Sequence, residues 1–152
     1  MKSKITSLFL IALFSLTSIS CSTEDSIGNL PIPSVGADGF TWIDSSGATI
    51  QTVNNPYASN QFKTIFATIT GGSTVYEINL TSIAVGAYDL TASGNALYYK
   101  NAAMSAPFSP TTGTVIITAN ASNKLSGTFV ATGTGGGITT VTGQFKNIVI
   151  NP

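Results

Sequence analysis

Between residues 39 and 150, apolar and polar residues alternate in short runs rich in Thr, Val, Ile and aromatics. Gly, Asn and Ser cut these runs at roughly 8–12-residue spacing, the pattern of an all-β sandwich or barrel. No stretch there carries a 3.6-residue apolar period long enough for a helix. The alternation predicts strands at Gly39–Asp44, Ala48–Val53, Phe62–Thr70, Thr74–Ser82, Ala87–Thr91, Ala96–Lys100, Thr114–Asn120, Lys124–Thr132 and Ile138–Ile150, the last with a break near Asn147. The expected fold is all-β: an antiparallel meander of eight or nine strands forming a flattened barrel or a two-layer sandwich.

Side-chain alternation also predicts registers. A type II′ turn at Gly72-Ser73 suits Gly at the first central position. It sets Ile69 against Tyr76, Ala67 against Ile78 and Ile65 against Leu80; a register moved by two would set Lys63 against Leu80 and fits less well. Near the C-terminus, a loop over 133–137 sets Phe129 against Val141, Leu125 against Phe145 and Gly127 against Gly143. A turn over 121–123 sets Val115 against Phe129, Ile117 against Gly127 and Ala119 against Leu125. Gly127 then leaves space on an apolar face for a ring from across the core, Trp42 or Phe66. Two connections are longer, Asn54 to Gln61 and Asn101 to Gly113, each with Pro and an aromatic that reads as exposed.

A different pattern opens the chain. Lys2 and Lys4 precede an apolar stretch from Ile5 to Ile19, shorter than the roughly 20 residues a spanning helix needs. Residues 1–20 read as a secretory signal. Cys21, the only cysteine, follows directly. An exported chain with one unpaired thiol is open to oxidation unless the sulfur is otherwise engaged. Ser18-Ile19-Ser20-Cys21 resembles the lipobox of bacterial lipoproteins, which implies acylation of Cys21 and anchoring to a membrane; the small Ser18 and Ser20 also suit cleavage by the ordinary signal peptidase. Ser22-Thr23-Glu24-Asp25 resembles the surface-export signal of Bacteroidetes lipoproteins, and Asp25-Ser26-Ile27 the O-glycosylation sequon of that phylum, with Ser26 as acceptor. Residues 21–36 hold Pro31, Pro33, Gly28 and Gly36 without apolar periodicity and read as a tether. Residues 37–152 then form a single domain.

Charge narrows the partners. Only 8% of the chain is charged, and it has no His and no Arg. After removal of residues 1–20, four lysines face six acids, a net charge of −2. Such a surface gives phosphate backbones no basic footprint, so a nucleic-acid partner is not expected.

Gly133-Thr134-Gly135-Gly136-Gly137 continues into Ile138 and a strand, so it reads as a hairpin loop and not a dinucleotide cradle. There is no GxSxG elbow and no Ser-x-x-Lys pair. Without His the commonest general base is missing, and the ligands of a zinc site are missing with it. The domain's carboxylates, Asp38, Asp44, Glu77 and Asp89, sit at turns or on solvent faces, which argues against a glycosidase pair. Asp44-Ser45-Ser46-Gly47 reads as a turn and not a calcium loop. The expectation is a protein without catalytic residues, metal or cofactor.

Aromatics carry the remaining chemistry. Tyr98-Tyr99 places rings on both faces of one strand, and Tyr57 and Phe108 sit in the two long connections. These four are the candidate ligand-binding residues, for a glycan or a small apolar ligand. Packing within the core and loops is the competing role, since scattered exposed rings are normal. Docking of another envelope protein is the alternative function.

The segments Gly86-Ala87-Tyr88-Asp89-Leu90, Leu97-Tyr98-Tyr99, Gly113-Thr114-Val115-Ile116-Ile117, Leu125-Ser126-Gly127-Thr128-Phe129 and Gly143-Gln144-Phe145 together resemble a small all-β lipoprotein domain family of flavobacteria. The resemblance implies a lipid anchor in the bacterial outer membrane, with the domain in or on it. It brings no catalytic residues.

Overall fold

The computed structural model describes residues 38–53, 55–68 and 75–152. The export signal, Cys21, the tether with Ser26 and the Gly72-Ser73 turn lie outside them. The described residues are all-β: β1 (Gly39–Asp44), β2 (Gly47–Val53), β3 (Tyr57–Ser59), β4 (Thr64–Thr68), β5 (Val75–Asn79), β6 (Gly86–Asp89), β7 (Ala96–Lys100), β8 (Ser109–Ala121), β9 (Lys124–Thr134) and β10 (Thr140–Asn151). They form one curled sheet in the order β6-β8-β9-β10-β3-β4-β5-β7, with the β1–β2 hairpin attached to β10. A bridge between Tyr99 of β7 and Phe108, just before β8, brings the far end of the sheet back to its beginning. The result is barrel-like.

Pairing is antiparallel with one exception: β3 runs parallel to β10. The chain is therefore not the simple meander expected. Tyr57–Ser59, expected to be loop, is a strand too short to alternate visibly and follows Pro56. It pairs with the nearby β4 on one edge and with the distant β10 on the other.

Two expected registers are wrong by two residues. Ala67 lies opposite Tyr76 and Ile65 opposite Ile78, and Leu80 N donates to Lys63 O at 3.0 Å. This is the register that set Lys63 against Leu80. It is tolerated because Lys63 leaves the strand: its φ is 54°, and its ammonium turns back to Asn60 O and, at 3.0 Å, to Asn60 Oδ1. Likewise Gly143 faces Phe129 and Gly127 faces Phe145, while Ile148 faces Leu125. The expected pairs Val115–Phe129 and Ile117–Gly127 are present, but a bulge after Ile117 sets Asn120, not Ala119, against Leu125. A two-residue slip keeps every side chain on its face, so alternation does not distinguish these registers.

The glycines explain the observed choice. A Cβ on Gly127 would stand 2.5 Å from Phe145 Cζ. The ring over Gly127 thus comes from the neighbouring strand and not from Trp42 or Phe66. Phe40, Trp42, Tyr76, Tyr99, Phe108, Phe129 and Phe145 are all fully buried. Phe40 stacks on Phe129 with centroids 5.3 Å apart, and Tyr76 on Tyr99 at 4.3 Å. Such ring pairs add to the stabilisation from burial alone. These rings lie inside the curled sheet.

The expected break near Asn147 is a β-bulge between Phe145 and Ile148. Asn147 takes φ 51°, and its N–H donates to Ser126 Oγ at 2.9 Å. Before the bulge the edge of β10 pairs with β1; after it, the same edge pairs with β3. Between Thr134 and Thr140 the chain reverses through Gly136 and Gly137, at φ 61° and 79°. This left-handed run requires glycine and makes 135–139 a hairpin loop.

Candidate functional site

The four candidate rings separate into two pairs. Tyr99 and Phe108 are core residues, 1% and 0% exposed. Phe108, expected to be exposed, is drawn inward because its N–H donates to Tyr99 O at 2.8 Å. Tyr57 and Tyr98 face outward, 39% and 40% exposed.

The outward pair belongs to one row. Reading across the ladders, Val149 faces Tyr57, Tyr57 faces Phe66, Phe66 faces Glu77, and Glu77 faces Tyr98. The next row, Ile150, Ala58, Ile65, Ile78 and Leu97, is buried. Strand pleating explains the division, since successive side chains take opposite faces. The Tyr57 and Phe66 rings stack with centroids 5.2 Å apart at 28°. Val149 is 49% exposed. Three strand spacings separate Tyr57 from Tyr98, ~14 Å.

Glu77 puts a charged acceptor within this row. Asn79 Nδ2 donates to Glu77 Oε1 at 3.0 Å, and Asn79 Oδ1 accepts from Thr64 Oγ1 at 2.6 Å. The chain of hydrogen bonds orients the carboxylate beside the rings. The surface thus offers π faces and a held acceptor on one side of a sheet. Phe66 was considered from sequence only as a ring over Gly127, and Glu77 only as a carboxylate unsuited to a glycosidase pair; Val149 was missed, because the β3–β10 pairing that adds it to the row joins distant segments.

The other carboxylates are occupied elsewhere. Asp44 is buried and accepts from Tyr99 Oη at 2.7 Å and Ser46 N at 2.9 Å. Burial, then the Asp44 hydrogen bond, pushes the Tyr99 hydroxyl up to about 12. Burial also holds the Tyr76 hydroxyl well above its ordinary value. Asp89 accepts from Thr91 N and Oγ1 at 2.7 and 2.8 Å, which lowers its pKa. Asp38 lies 3.8 Å from Lys124 Nζ. Among the described residues no three metal-ligating side chains converge. No protein-family model, curated protein or solved structure matches this chain.

Proposed function

We propose that the protein is a lipid-anchored, non-catalytic binding module of the bacterial cell surface, held in the outer membrane through acylated Cys21, and that its ligand is a neutral glycan. The observation that carries this reading is the outward row Val149–Tyr57–Phe66–Glu77–Tyr98. Sugar rings present apolar C–H faces and hydroxyl edges. Stacked aromatics accept the first, and a hydrogen-bonded carboxylate accepts from the second. The seven rings buried inside the sheet support this surface over an internal site for a small apolar ligand, which would need an open cavity.

Affinity electrophoresis of the soluble Cys21→Ser protein through gels containing hydroxyethylcellulose, galactomannan or xylan tests it. At least one polysaccharide is expected to retard the protein, and Tyr57→Ala with Tyr98→Ala to abolish the retardation. Free migration in all three gels, or retardation unchanged by the double substitution, overturns the reading. In that case the exposed row would fall to the alternative, docking of another envelope protein.

A further inference from the structure

The edge of β10 is shared by two strands that do not meet. Its last pair with β1 is Lys146–Gly39, and its first pair with β3 is Val149–Tyr57. Asn147 and Ile148 fall between them with no strand partner on that edge. The fork is an open groove of about 390 Å³, lined by residues that include Asp38, Val53, Asn55, Pro56, Asn147 and Val149. That volume lies within the range of small-molecule sites, about 300–1,000 Å³.

The groove runs into the aromatic row. Val149 belongs to both, and Pro56 directly precedes Tyr57. Its lining mixes apolar groups, Val53, Pro56 and Val149, with two carboxamides and one carboxylate. Asn147 Nδ2 donates to Asp38 Oδ1 at 2.8 Å. Lys124 Nζ, 3.8 Å from Asp38 Oδ2, matches the single charge of the lining. Amides that donate and accept beside a compensated carboxylate suit a polyol better than an anion.

We propose that this fork is a subsite that binds the terminal residue of a neutral glycan chain whose following residues lie along the Tyr57–Tyr98 row. The assignment rests on the glycan reading above and adds the place where the chain ends. The row stacks on successive rings and tolerates many sugars; the fork hydrogen-bonds one residue and sets the orientation.

The backbone supplies a clean test. Asn55 and Asn147 both hold left-handed conformations, φ 65° and 51°. Glycine adopts these without strain, so Asn55→Gly with Asn147→Gly removes both amides and keeps the loop and bulge. The probes are cello-, manno- and xylo-oligosaccharides from di- to hexasaccharide, titrated calorimetrically into the Cys21→Ser protein. Affinity is expected to rise with length. In the double variant oligomers long enough to fill both the fork and the row should lose about tenfold, while a disaccharide, which can stack on the row without entering the fork, changes little. Asn55→Gly alone, which keeps the Asn147–Asp38 hydrogen bond, should show a smaller loss in the same direction. Circular dichroism and Tm establish that the variants fold. Binding by the parent protein with unchanged affinity in both variants at every length overturns the subsite while leaving the row intact. Absence of binding by the parent overturns the glycan reading itself.

Discussion

Phe129 of β9 lies directly across the ladder from Gly143 of β10, and its ring fills the space where a side chain on Gly143 would begin. The neighbouring row repeats the arrangement with the strands exchanged, Phe145 lying over Gly127. Phe40, on the far side of β10, stacks against both rings. Two glycines thus let three phenylalanines share a space too narrow for side chains at every position.

Gly143→Ala and Gly127→Ala should each destabilise the fold. The new methyl group would meet Phe129 Cζ in the first case and Phe145 Cζ in the second. Backbone stands close as well, Thr41 O at 2.5 Å from the first methyl position, so the ring cannot relieve the contact alone. Overpacking of this kind costs ~1–3 kcal/mol and occasionally more. Urea denaturation should show a lower midpoint with an unchanged slope.

Tyr57→Ala and Tyr98→Ala should behave unlike Tyr99→Ala and Phe108→Ala. The outward pair should each reduce glycan affinity about tenfold and change stability by no more than ~0.5 kcal/mol. Tyr99→Ala and Phe108→Ala empty buried space and should cost ~3–5 kcal/mol. Parallel calorimetry and urea titration separate the two classes.

Stability should fall in alkali. The Tyr99 hydroxyl is raised from 10.0 to about 12 in the fold, so between these values the unfolded chain holds fewer protons. Its contribution is full below pH 10 and is lost as pH rises towards 12. Tyr76, shifted in the same direction, extends the loss upward. Tyr99→Phe should lower stability at neutral pH by ~1.5–3 kcal/mol through the missing bond to Asp44, and it should flatten the alkaline fall. Urea midpoints at pH 8, 10 and 11 for both proteins test this.

Cys21→Ser should move the protein from the membrane to the soluble fraction. Wild-type protein should incorporate an alkynyl palmitate analogue, and the variant should not. Loss of acyl chains removes ~0.8 kcal/mol of membrane affinity for each buried methylene. A variant that stays with membranes after removal of its signal would show that another element anchors it.

Some elements were legible in sequence and others were not, for physical reasons. Gly39–Asp44 and Ala96–Lys100 have the bounds their alternation predicts. The hairpins β1–β2, β4–β5, β8–β9 and β9–β10 were identified, because short turns leave few choices, but β6, expected to continue the meander from β5 to β7, pairs with β8 instead, and β5 pairs with β7. The β4–β5 and β9–β10 registers were not legible, because side-chain period is indifferent to a slip of two, whereas the β8–β9 register was right as far as Ile117. The deciding information was steric: Phe129 and Phe145 need glycine opposite, and Gly127 and Gly143 supply it. In the site, Tyr57 was visible as an aromatic in a long connection and Tyr98 as one of two rings on opposite faces of a strand. Their place in one row was not, since it depends on the three-residue β3 pairing with β4, on the shifted β4–β5 register and on β5 pairing past β6 with β7. Phe108 misled because a loop residue in sequence became a bridge partner in space.

The parallel contact between β3 and β10 also orders events in time. β9, β1 and β3 all attach to β10, the last of the strands to be synthesised. Until it emerges, the β1–β2 hairpin has no strand joining it to β9, and β3–β4–β5–β7 meets β8 only through the Tyr99–Phe108 bridge. Long-range pairings of this kind also form slowly. Among the described strands the sheet is joined up only by the last, so a chain exported as proposed above would keep its earlier strands unlocked until β10 follows.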